Sequence, residues 1–98
     1  MKDLKKLITI FNNMKDISSK SEESVEEAIL KLVEETGEMS SCYLKECNPE
    51  HMAEEAADII QAAFKLAYII NSKYPDVDIL DKLLEKNEKG RNSYSLVR

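Results

Sequence analysis

The chain has 98 residues, 43 % hydrophobic and 34 % charged, with only two Gly and two Pro. That length is one domain (1–98), that balance is too apolar for disorder, and so few turn residues exclude a sandwich or barrel. With 14 Lys+Arg against 19 Asp+Glu the net charge is −5, which excludes a basic footprint for nucleic-acid polymers but leaves phosphorylated small molecules reachable through a bridging cation.

The first six residues hold no continuous apolar segment, so no signal peptide is expected, and no run approaches the ~20 apolar residues of a membrane span. The expectation is a cytoplasmic protein without membrane association. A predicted helix over about Leu4–Asp16 carries Leu4, Leu7, Ile8, Phe11 and Met14 on one stripe. The run Ser18-Ser19-Lys20-Ser21 breaks it. Ser24 followed by Glu27 reads as a capping box for a second helix, Val25 to about Glu46. Its stripe is Val25, Ala28, Ile29, Leu32, Val33, Thr36, Met39, Tyr43. Gly37 inside it reads either as a close approach by another backbone or a ligand, or as a tolerated mid-helix glycine. Cys42 and Cys47 are five apart in this predicted helix and point to different sides, so they read as reduced thiols.

Asn48-Pro49 supplies a cap and a first helical position for a third helix to about Asn71. Its apolar residues cover roughly two-thirds of the circumference. Met52, Ile59, Phe64, Tyr68 and Ile70 spread too widely for one stripe, and three short neighbours cannot cover them, which predicts an oligomer, a homodimer at least, with a tetramer of dimers left open. Tyr74-Pro75-Asp76 is the next break, with Asp76 as a plausible cap. A fourth helix runs from Ile79 to about Lys89, stopped by Gly90 and followed by a polar tail.

The carboxylates are placed unevenly on these helices. Each residue turns ~100°. Glu34 then points to solvent, Glu35 lies at the edge of the apolar arc of the second helix, and Glu38 is its neighbour one turn on. On the third helix Glu55 falls inside the apolar arc and Asp58 lies at its edge. Two consecutive antiparallel helices would bring four carboxylates to one level. Such a cluster is costly without a cation, and Mg²⁺ (or Mn²⁺) accepts oxygen ligands while keeping waters that phosphate oxygens can replace. The competing reading is ordinary solvated faces paired with Lys31, Lys45 or Lys65. His51, in the first turn of the third helix, reads as a capping or surface residue, and the two glycines cannot build a phosphate-binding loop.

The stretch Glu34-Glu35-Thr36-Gly37-Glu38 followed by Glu55-Ala56-Ala57-Asp58 resembles the EExxE…ExxD signature of the all-α nucleoside triphosphate pyrophosphohydrolases, the MazG-like superfamily. The resemblance covers about residues 24–94, including Lys86-Asn87, Arg91 and Tyr94 after the last helix. It implies an oligomeric four-helix bundle, magnesium dependence, and cleavage of a nucleoside triphosphate to monophosphate and pyrophosphate. Carried over by position, Glu35, Glu38, Glu55 and Asp58 would be the catalytic metal ligands. Lys31, Glu34, Lys86, Asn87 and Arg91 would be candidates for substrate contacts. Phosphoribosyl-ATP pyrophosphohydrolase, of the same superfamily, and a non-catalytic helical dimer or adaptor are the alternatives.

Overall fold

The computed structural model describes residues 2–97, with side-chain surroundings described as far as residue 92. It is all-helical: α1 (Lys2–Ser19), α2 (Val25–Leu44), α3 (Pro49–Lys73) and α4 (Ile79–Val97), with no strand among the described residues. No helix is long and apolar enough to cross a membrane among them.

The helix starts follow from local chemistry. The Ser24 hydroxyl accepts from Glu27 N, and the Glu27 carboxylate accepts from Ser24 N, both at 3.1 Å. Each bond satisfies an amide left open in the first turn of α2. The Asn48 side chain accepts from His51 N at 2.8 Å, and Pro49 follows at the first helical position. The start of α4 corrects the expectation of Asp76: the Asp78 carboxylate accepts from Leu80 N and Asp81 N. Asn71 braces the same corner, donating to Val77 O at 2.9 Å and accepting from Ile79 N at 3.1 Å.

Three boundaries lie elsewhere than the sequence suggests. α1 continues through Ser18, whose buried side chain faces a cavity described below. α4 does not stop at Gly90; the glycine lies in open space inside the helix, and the expected polar tail is its last turns. α2 ends two residues before the expected Glu46, through a left-handed turn. Glu46 takes φ 55°, Glu46 N donates to Tyr43 O, and Cys47 N donates to Cys42 O at 3.0 Å. This is the Schellman closure, in which the residue after the left-handed position folds back on the last helical turn. Those two residues are Cys47 and Cys42, whose Cα atoms are 5.2 Å apart and whose sulfurs are joined in a disulfide. The expectation of two reduced thiols facing different ways is therefore corrected.

α3 is the central element. α2 packs along it most extensively, α1 packs on it as well, and among the described residues α4 approaches α3 alone while α1 and α2 do not approach each other. Cys42 lies near His51 and Glu35 near Asp58, so numbering runs in opposite directions along α2 and α3 and the two are antiparallel. Phe11 of α1 meets Phe64 of α3 edge to face, centroids 5.5 Å apart. Within one chain this is three packed helices and a fourth attached at one corner, rather than a closed four-helix bundle.

The packing leaves much apolar surface open. The radius of gyration is 15.7 Å, against about 13 Å for a compact chain of this length. The buried apolar side chains among the described residues are small: Ala28, Cys42 and Ala62. Met52, Ile59, Phe64, Tyr68 and Ile70, predicted to lack cover on α3, are half-buried. The uncovered residues include Leu4, Leu7 and Ile8 on α1, Leu30, Val33 and Leu44 on α2, Leu80, Leu83 and Leu84 on α4, and on α3 Ile60.

Candidate metal centre

On α2 the buried line is Ala28, Glu35 and Cys42, each seven residues from the next and so on one face. Ile29, Val33 and Tyr43, predicted within the core stripe, are exposed. The seam against α3 is thus rotated from the hydrophobic arc toward Glu35. The residue expected at the edge of the core lies on its central line, 7 % exposed.

Across the seam, α3 presents Glu55 and Asp58. One carboxylate oxygen from each of Glu35, Glu55 and Asp58 lies within 4.8 Å of the others. Glu35 Oε1 pairs with Lys31 Nζ at 3.0 Å, one turn earlier on α2. Glu55 Oε1 meets His51 Nε2 at 3.1 Å, one turn earlier on α3. The second oxygens of Glu35 and Glu55 are buried and have no hydrogen-bond partner. Burying a carboxylate oxygen without a partner is costly. Two such oxygens beside a third carboxylate are what a hard cation would satisfy, so the residues present fit a divalent metal with oxygen preference.

Glu38 stands outside that group of three and is exposed. It still belongs to the same field. The charge of Glu35 raises its carboxyl above the ordinary range, helped by desolvation and by Glu55 and Glu34, while Lys31 opposes the shift. Because its proton is held more tightly in the folded chain, ionising Glu38 works against folding. The penalty is absent below the ordinary carboxylate pKa and complete above the raised one. Metal-free melts across about pH 4 to 8 should therefore show Glu38→Gln gaining on the native sequence as pH rises through that window. A constant difference between the two proteins would remove Glu38 from the field of the cluster.

Beside the carboxylates is a cavity of about 240 Å³ whose walls include Glu35, Asp58, Lys31 and Lys65, with Ser18 from α1. The Lys31 ammonium is held charged chiefly by Glu35, then by Glu34, which is exposed and 3.6 Å away. Lys65 pairs with Glu23 at 3.0 Å rather than with the cluster. The competing reading is therefore right about the pairing of Lys31 with Glu35 and Glu34, but Glu35 lies on a buried seam rather than a solvated face, and Lys65 pairs outside the cluster. Lys86, Asn87 and Arg91 are exposed on α4 and line no part of this cavity. Tyr94 lies outside the residues whose side chains are described.

Sequence reasoning gave His51 no part in the site. The signal was present: His51 and Glu55 are four apart, the spacing at which helical side chains touch. No protein-family description, curated protein or solved structure matches the chain.

Proposed function

We propose that the protein is a Mg²⁺-dependent nucleoside triphosphate pyrophosphohydrolase of the MazG-like kind. In this reading it cleaves between the α- and β-phosphates to give a nucleoside monophosphate and pyrophosphate. The observation that carries the reading is the convergence of Glu35, Glu55 and Asp58, with two buried oxygens unsatisfied, on the wall of a cavity. Together with Glu38, these residues would hold Mg²⁺, or Mn²⁺ in its place. The metal, when bound, supplies a Lewis acid for a phosphoryl oxygen and a more acidic water.

The chain's own residues divide the remaining work. Glu35 and Glu55 are fixed on facing helices and held by Lys31 and His51, so the donor set is positioned before substrate arrives. Lys31, at the cavity wall and held charged, offers an ammonium to phosphate oxygens. A carboxylate of the cluster accepts the proton of the attacking water. Within one chain Lys86, Asn87 and Arg91 have no role at the cavity, and Glu34 serves through Lys31. The uncovered faces of α1, α2 and α4 support a homodimer as the working form.

Incubation with a panel of canonical, deoxy and modified nucleoside triphosphates and Mg²⁺, followed by product chromatography, tests the reading. Monophosphate and pyrophosphate are expected in equal amounts. Diphosphate with orthophosphate would overturn the reaction type. Absence of hydrolysis together with absence of Mg²⁺ binding by calorimetry would leave the helical adaptor.

A further inference from the structure

The turn that ends α2 builds a second cluster next to the carboxylates, made of softer donors. Cys42 lies in the last turn of α2, Cys47 two residues past the α2 cap, and His51 in the first turn of α3. The Schellman closure brings Cys47 back over Cys42, and the Asn48 cap fixes the backbone of His51. As a result one ligand atom from each of the three, Sγ, Sγ and an imidazole nitrogen, lies within 4.8 Å of the others. Cys42 is buried, Cys47 half-buried and His51 exposed, so the cluster has a floor and an open side.

The imidazole is also oriented. Its Nε2 is 3.1 Å from Glu55 Oε1. In the tautomer that donates from Nε2 to this carboxylate, Nδ1 has a lone pair to offer a metal. A carboxylate behind one ring nitrogen, with the other free for a metal, is the arrangement that orients histidine ligands at zinc centres. Two sulfurs and a nitrogen favour Zn²⁺ over Mg²⁺, whereas the neighbouring all-oxygen cluster has the reverse preference.

We propose that Cys42, Cys47 and His51 form a thiolate–imidazole site for Zn²⁺, open when the cysteines are reduced and closed by their disulfide. The site stands independently of the pyrophosphohydrolase reading. Opening takes two electrons and two protons from a dithiol reductant, which becomes a disulfide as the Cys42–Cys47 bond breaks. Zn²⁺ then displaces two thiol protons, forms two Zn–S bonds and one Zn–N bond to Nδ1, and keeps water in the fourth position. His51 and Glu55 join this site to the carboxylate cluster, so filling one site changes the surroundings of the other.

The test uses the full chain, dithiol-reduced or oxidised, with Co²⁺ as the probe and Zn²⁺ as competitor. The reduced chain should take one equivalent of Co²⁺ with the thiolate-to-metal charge-transfer band, and Zn²⁺ should abolish the band. The oxidised chain should show none. Cys42→Ser and Cys47→Ser should lose the band with helical circular dichroism retained. Glu55→Gln should weaken Co²⁺ binding about 10–100-fold through His51. Asp58→Asn, which touches only the carboxylate cluster, should leave the band unchanged. A reduced native chain without the band overturns the proposal, whatever the variants do. So does a band that survives in Cys47→Ser, or one that saturates at half an equivalent, which would place the metal between two chains.

Discussion

Asp58→Asn should reduce nucleoside triphosphate hydrolysis by more than about 100-fold, since even the outer partners of metal ligands are worth 10–100-fold. The substitution keeps shape and removes one negative charge from three oxygens that lie within 4.8 Å of one another. Asp58 is exposed, so the fold has little to lose from the change, and relief of like-charge repulsion should leave the metal-free protein at least as stable. Loss of hydrolysis with an unchanged or higher melting temperature would therefore separate a site residue from a structural one. Glu38→Gln should behave in the same direction, because its carboxyl feels Glu35 and Glu55. Steady-state rates with saturating Mg²⁺, read beside thermal melts without it, make the measurement. Full activity in Asp58→Asn would end the assignment of the cluster.

The second large effect concerns assembly. Leu4 and Ile8 lie one turn apart on α1 and are 52 % and 54 % exposed. With Leu7 they form a stripe that α3 does not cover, and comparable open stripes lie on α2 and α4. Completing the burial of a half-exposed Leu or Ile contributes about 1 kcal/mol at 25 cal/mol per Å². A dozen such side chains, from two copies, would contribute an amount on the scale of a small domain's whole stability. Sedimentation at micromolar concentration should find a species of twice the 11.2 kDa chain mass. The double substitution Leu4→Glu, Ile8→Glu should shift it to the single-chain mass. In an isolated chain such exposed changes are nearly neutral, so dissociation would locate the interface. A variant that stays dimeric would move the interface to α2 or α4, and a native chain sedimenting at 11.2 kDa would refute the dimer.

The features legible in the sequence were those set by neighbours a few residues apart. Ser24 with Glu27, and Asn48 with Pro49, mark helix starts because the cap and its amide are three residues apart in any context. The convergence of Glu35 with Glu55 and Asp58 is legible because helical periodicity places them before any packing is known, whereas Glu38, expected with them, stands outside the group. What failed depended on packing or on an unusual backbone. Glu35 was assigned to an edge because periodicity measures hydrophobicity, whereas the seam follows Ala28 and Cys42, small residues that let α3 approach. The disulfide was missed because the left-handed turn that makes it uses Glu46, a position where glycine or asparagine is the usual signal. The wide apolar face of α3 points to dimerisation, yet α1 and α2 cover most of it, leaving Ile60 open, and the larger open surface lies on the helices around it.

The corner between α3 and α4 has a consequence for motion. Among the described residues α4 approaches α3 alone, and its direction is set by the amide of Asn71 gripping Val77 and Ile79 with the cap of Asp78 behind it. A helix held at one end opens locally at a small fraction of the global unfolding free energy. In the isolated chain the amides of residues 80–92 should exchange with deuterium well before those of α3, and Asn71→Ala should quicken that exchange. The part of the chain that carries Lys86 and Asn87 is thus joined to α3 at the Asn71 corner, away from Glu55 and Asp58 in the first half of that helix, so a local opening there leaves the carboxylates in place.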